Sequence, residues 1–127
     1  MDSAFEVGKK LVALVKQGKN LEAINTLYAD DIVSVEPQPM GNEPAEKKGI
    51  ATIRGKNEWW TANHEIHSAT VNGPWPHGDQ FIAYYKYDVT PKAGPHKGHR
   101  FTMEESALYT VKNGKVAKEE FFYSMGG

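Results

Sequence analysis

Three residues of this chain are candidates for acid–base chemistry: Glu36, His64 and Glu105. Glu105 stands in a run from Arg100 to Val111 where Phe101, Met103, Ala107, Tyr109 and Val111 share one face by two-residue alternation. It is the only charge on that face. Glu36 follows the β-prone run Ile32 to Val35 and precedes Pro37, while His64 falls on a helical stripe with Ile50, Ile53, Asn57 and Trp60. A carboxylate in apolar surroundings has its pKa raised by desolvation, which suits it to take a proton α to a carbonyl. A second, protonated carboxyl or a histidine would then hydrogen-bond the developing enolate oxygen.

Each of the three also has a plain structural reading. Glu36 would be an exposed strand end, and Glu105 a core-edge carboxylate paired with Arg100, Lys118 or a tyrosine hydroxyl. His64 would sit at a helix C-terminus, where the dipole favours a cation. The residues expected to wall a ligand cavity are Trp60, His67, Tyr85, Tyr87, Met103, Tyr109, Glu119, Phe121 and Tyr123. His67 joins this set because it shares a strand face with Ala69 and Val71. Glu119 joins it because it alternates with Ala117, Phe121 and Tyr123. Aromatic residues in such number also fill cores, so a cavity wall and a packed interior both remain open.

Other chemistries find less support. His64 and His67 flank Glu65 at a spacing that permits shared ligation on a continuing helix, but the helix is expected to end there. His96 and His99 lie in a Gly/Pro loop, and no third ligand has matching spacing; no metal is expected. Ser68 and Ser106 lack a nucleophile-elbow context, and no Gly-rich loop joins a strand to a helix. No cofactor is expected.

The elements that must position these groups are legible from periodicity. Ser3 and Glu6 form a capping box ahead of Ala4, Val7, Leu11, Leu14 and Val15 on one helical face, with Gly18 as the stop. A second helix starts at Asn20 and includes Leu21, Ile24, Leu27 and Tyr28. Asp30-Asp31 turns the chain into a strand at Ile32 to Val35. Residues 36–49, rich in proline and glycine, read as an extended loop that either simply connects or acts as a lid. A third helix spans Ile50 to about Asn63. Strands follow at Ile66 to Val71, Gln80 to Thr90, Arg100 to Val111 and Val116 to Tyr123. Asn113-Gly114 makes a tight hairpin between the last two. Helices first and hairpin-linked strands afterwards predict an α+β fold: three helices on one face of a curved, mostly antiparallel sheet, enclosing a pocket.

With 127 residues the chain is expected to be one domain, spanning 1–127. Fifteen basic and 16 acidic residues give a net charge of −1, without the basic excess that nucleic-acid binding needs. There is no cysteine, so disulfides and thiolate chemistry are excluded. No apolar run approaches the ~20 residues of a membrane span, and the polar N-terminus points to a cytoplasmic protein.

The layout, with Leu27-Tyr28-Ala29-Asp30-Asp31, Gly49-Ile50-x-x-Ile53-Arg54 and Tyr109-x-Val111-x-Asn113-Gly114-Lys115-Val116, resembles the SnoaL-like branch of the nuclear transport factor 2-like, cystatin-like α+β superfamily. Asn63-His64-Glu65-x-His67, Pro76-His77-Gly78-Asp79 and Glu119-x-Phe121-Phe122-Tyr123 are similar to its small bacterial members. The resemblance implies a homodimer, here through the outer sheet face carrying Ile82, Tyr84 and Leu108. It also implies a pocket for a small apolar, carbonyl-containing molecule. An isomerase, cyclase, dehydratase or hydrolase is one expectation, and a non-catalytic binding or dimerising module the other. Ketosteroid isomerases of the superfamily place a carboxylate base just before a proline, and Glu36 occupies that place. Their oxyanion tyrosine has no match here, and their protonated aspartate falls near Ala107, with Glu105 on the same face. Steroid isomerisation itself is therefore not expected.

Overall fold

The structure, a computed structural model, describes residues 1–39 and 42–123. Helices α1 (Ala4–Lys16), α2 (Asn20–Leu27) and α3 (Ile50–Asn63) lie against six strands: β1 (Tyr28–Val35), β2 (Glu46–Lys48), β3 (His64–His77), β4 (Gln80–Pro91), β5 (Phe101–Lys112) and β6 (Lys115–Phe122). These strands form a curled, open sheet in the order β2-β1-β6-β5-β4-β3. All neighbours are antiparallel except β1 and β6. The α+β architecture is as the sequence predicts.

Local chemistry explains the elements. Ser3 Oγ accepts from the Glu6 N–H at 3.2 Å, and Glu6 Oε1 accepts from the Ser3 N–H at 3.1 Å, so the capping box forms. The face expected of α1 buries Ala4, Val7 and Leu11, while Leu14 and Val15 pack on the edge of the core. Gly8 lets this helix approach the sheet closely: a Cβ there would stand 2.8 Å from Pro74 Cβ and 3.0 Å from Phe81 Cγ. At the β5–β6 turn Asn113 has φ 53° and Gly114 φ 74°, the left-handed pair that a two-residue hairpin demands.

The core faces the helices. Phe81, Ala83, Tyr85 and Val89 of β4 and Ala107, Tyr109 and Val111 of β5 alternate inward, matching the expected faces. Tyr28 differs from expectation. It caps α2 in extended backbone and opens β1, because an apolar residue at the end of a helical stripe also satisfies the buried face of a strand. The expected loop 36–49 contains the short strand β2, pairing Val33 with Lys48 and Val35 with Glu46. The Glu36 N–H donates to the Ala45 carbonyl at 2.8 Å, so the segment folds back as a hairpin. Met40 and Gly41, within the suggested lid, lie outside the described residues. β3 runs on past Gly73-Pro74 to the turn at Gly78, absorbing those residues as a register shift between Asn72 and Trp75. Among the described residues no helix is long and apolar enough to cross a membrane.

Candidate functional site

The concave face gathers three carboxyl groups, two from strands β5 and β6 and one from the first residue past β1. Ser34 pairs with Glu119 across β1 and β6, so one alternation further on Glu36 lies beside Phe121. On β5, Glu105 is opposite Tyr85 of β4, and the Ser106–Phe122 pairing brings Tyr123 alongside it. The sheet thus brings Glu36, Glu105 and Glu119 onto one face, together with Tyr85, Tyr109, Phe121 and Tyr123.

A lysine that the sequence reading passed over stands at their centre. Lys56 follows buried Ile53 by three residues and precedes Trp60 by four, so it projects from α3 toward the sheet. Its ammonium is ion-paired with Glu36, donates to Ser34 Oγ at 3.3 Å and lies 4.6 Å from the Phe121 ring centroid. Tyr123 Oη donates to the other side of the Glu36 carboxylate, at Oε2, over 2.8 Å.

Glu119 is the deepest of the three, 3% exposed. Tyr28 Oη donates to its Oε2 at 2.6 Å and Ser34 Oγ to its Oε1 at 2.9 Å. Burial holds its pKa above the ordinary carboxylate value, while Lys56, Tyr28 and Ser34 pull the other way. Its full satisfaction by strand partners gives it a structural role that the ligand-wall expectation did not separate out.

Glu105 is different. It is half-buried, and none of the hydrogen bonds among the described residues reaches its carboxyl. The pairing expected of it does not form: Arg100 makes a two-pronged bond to Asp88 at 2.9 and 2.7 Å, and Lys118 pairs with Glu120 at 3.1 Å. Burial first, then the charge of Glu36, pushes its pKa up to about 7, with Lys56 opposing. A group at that value exchanges protons readily near neutral pH.

The aromatic wall extends from this cluster. The Tyr85 and Tyr109 hydroxyls are 2.5 Å apart, and Tyr85 and Tyr87 stack with centroids 6.0 Å apart. Burial raises the pKa of all three well above that of a free phenol, so they remain neutral donors. Met103 is opposite Tyr87 and half-buried. Trp60 tilts against Tyr87 at 6.0 Å, and His64 stacks on Trp60 at 3.8 Å. The His64 Nδ1 is 3.0 Å from the Trp60 carbonyl, an acceptor, so Nδ1 carries the proton of that bond. His64 therefore belongs to the aromatic end of the face, whereas Glu36 and Glu105 belong to its carboxyl cluster.

His67 departs from its predicted place. It is exposed, and its Nε2 is 2.7 Å from Thr90 Oγ1, on the side of the sheet that carries Asp88. The register shift between Ile66 and Ser68 is the cause, since one extra residue inverts the alternation on which the inward reading rested. Two surface clefts lie away from the cluster. One, about 160 Å³, is lined by Trp75, His77, Gln80, Phe81, Ile82 and Leu108; the other, about 380 Å³, lies between the N-terminus and the turns at Gly78 and Gly114.

Fold and concave site together define a class, and the sequence places the chain within it. Residues 3–123 match the SnoaL-like domain family, and the chain belongs to that family. A Mesorhizobium loti protein, provisionally named a SnoaL-like polyketide cyclase with carbohydrate phosphatase as a second designation, is 46% identical. The match covers 93% of this chain and 97% of that one, with a TM-score of 0.85. An NTF2-like protein from Burkholderia thailandensis is 16% identical over 98% of this chain and 92% of that one, TM-score 0.79. A Catenulispora acidiphila protein with a ketosteroid isomerase-like fold, solved with trimethylamine, is 22% identical over 94% and 86%, TM-score 0.69. These last two share the fold alone. No curated protein matches the chain.

Proposed function

We propose that the concave face between α3 and strands β1, β4, β5 and β6 receives a small apolar molecule bearing a carbonyl group, and that Glu105 moves a proton on its α-carbon. The observation that carries this reading is the contrast among the three carboxyls. Glu36 is held by Lys56 and Tyr123, and Glu119 by Tyr28 and Ser34, while no donor among the described residues bonds to Glu105. In ionised form it would abstract the α-proton; in protonated form it would deliver that proton to another carbon of the enolate in an isomerisation, to the oxygen of the carbonyl that the enolate carbon attacks in a cyclisation, or to a departing β-hydroxyl, released as water, in a dehydration. Tyr87, and whichever of the Tyr85 and Tyr109 hydroxyls does not donate within their pair, are the neutral donors for the developing enolate oxygen. Relative to the sequence expectation, Glu36 becomes the anchored carboxylate and Glu105 the proton carrier. The name of the Mesorhizobium loti relative, a polyketide cyclase, points to carbonyl substrates as well.

Incubation of β-tetralone, an apolar ketone with acidic α-hydrogens, in D₂O with the protein tests this by mass spectrometry. Deuterium uptake above the buffer rate, lost in Glu105→Gln, supports the reading. Equal uptake by the wild type and Glu105→Gln overturns it.

A binding-only role has one observation in its favour: Glu36, Ser34, Glu119, Lys56 and Tyr28 satisfy one another, as a fixed polar floor would. It predicts saturable quenching of Trp60 by the ketone with no exchange. The outer sheet face exposes Trp75 (54%), Ile82 (42%) and Phe122 (53%), and we propose that it mates with a second copy to form a homodimer. Sedimentation equilibrium tests this, a dimer that Ile82→Lys dissociates being the expected result and a wild-type monomer the contrary one.

A further inference from the structure

We propose that Lys56 is the positioning residue of this site: its ammonium fixes Glu36 as the permanent anion and thereby leaves the exchangeable proton of the carboxyl pair on Glu105. The inference rests on the reading of Glu105 as the proton carrier and adds what decides its protonation.

Three contacts place the ammonium. It is ion-paired with Glu36, donates to Ser34 Oγ at 3.3 Å and lies over the Phe121 ring at 4.6 Å. The side chains of Lys56 and Glu36 are 29% and 13% exposed, so water screens the pair only in part. The stem is anchored by the helix: Ile53, one turn before it, is 3% exposed. Ser34 extends the reach of Lys56 to the buried carboxyl, since its hydroxyl accepts from Nζ and donates to Glu119.

Tyr123 bonds to Glu36 and is the cross-strand neighbour of Glu105, so the two carboxyls share one half-buried face; coupled carboxyls lose their protons in two steps that belong to the pair. A cation bonded to one of them decides which ionises first. Because the ammonium of Lys56 is bonded to Glu36 and not to Glu105, the negative charge of the pair is held at Glu36 and the exchangeable proton is left to Glu105. The groups that face Glu105 fit this division. Glu36 and Glu119 raise its pKa, Lys56 lowers it, and Tyr85, Tyr87 and Tyr123 stay neutral beside it. The ammonium also keeps the upper step within reach of neutral pH. Without it the second ionisation would put a further negative charge on the face with no cation to offset it.

Titration by NMR of protein ¹³C-labelled at the glutamate carboxyls reads this without any turnover, so the result is independent of the β-tetralone outcome. The wild type is expected to show an upper step near 7 on Glu105. In Lys56→Met the upper step of the pair moves up by about one pH unit, and Lys56→Arg restores it toward the wild-type value. Glu36→Gln, a near-isosteric change suited to retaining the fold, moves the Glu105 step down, because the anion goes and the cation stays. An upper step unchanged in a folded Lys56→Met, or a Glu105 step unmoved in Glu36→Gln, overturns the proposal. A purely structural Lys56 would alter stability and leave both midpoints where they are.

Discussion

Tyr123 donates its hydroxyl to Glu36 Oε2 at 2.8 Å, joining the end of β6 to the first residue past β1 across 87 positions of sequence. Lys56 is ion-paired with the other oxygen of that carboxylate, Oε1. Glu36 is thereby held from both sides, and that leaves Glu105 distinct among its neighbours.

Removing that hydroxyl should cost stability and little else. Tyr123→Phe is expected to lower the free energy of unfolding by about 1 kcal/mol, the value of a hydrogen bond to a partly exposed charged acceptor. Urea denaturation at pH 7 measures it, and no change in midpoint would mean that the bond contributes nothing in solution.

The buried carboxyl should be costlier to alter. Glu119→Gln replaces one acceptor oxygen by an NH₂ group that cannot accept from Tyr28 or Ser34. A loss of roughly 1–3 kcal/mol is expected, read as a lower urea midpoint with an unchanged slope. Tyr28→Phe should cost less, because it leaves Ser34 and Lys56 to serve the carboxylate.

Stability should also fall with pH in a defined window. Glu105 titrates near 4.5 when unfolded and near 7 when folded, so the folded state holds its proton more tightly. Its contribution is complete below about pH 4.5 and is lost as pH rises to about 7, by at most about 3 kcal/mol. Glu105→Gln removes this slope. Unfolding midpoints measured every half unit from pH 4 to 8 give the comparison, and identical slopes in the two proteins would contradict it.

A fourth expectation sets propensity against packing. In an open helix, Gly→Ala gains about 1 kcal/mol. At Gly8 the added Cβ would meet Pro74 Cβ at 2.8 Å and Phe81 Cγ at 3.0 Å, both in rigid side chains. Overpacking of this kind costs about 1–3 kcal/mol. Gly8→Ala should therefore lower the melting temperature by a few degrees, and a rise would show that α1 can shift outward at little cost.

Much of the fold was legible because its signals are local. The capping box at Ser3 and Glu6, the span of α3 and the left-handed Asn113-Gly114 turn each depend on residues within a few positions. What escaped depends on distant partners. β2 has no alternation of its own and exists through its pairing with β1. His67 was read inward because nothing in the sequence marks the register shift beside it. Lys56 reads as a solvated charge unless its place between Ile53 and Trp60 on the buried stripe is given weight. Glu105 stands out as the odd charge on an apolar face, and the structure leaves it half-buried. Its expected partners, Arg100 and Lys118, are held by Asp88 and Glu120.

The proposed role of Glu105 rests on a half-buried carboxyl that no donor among the described residues reaches and that exchanges its proton near neutral pH. The most direct measurement is the ¹³C titration of its carboxyl carbon in the wild-type protein. A midpoint near 7 is expected. A midpoint close to the ordinary glutamate value of about 4.3 would contradict it.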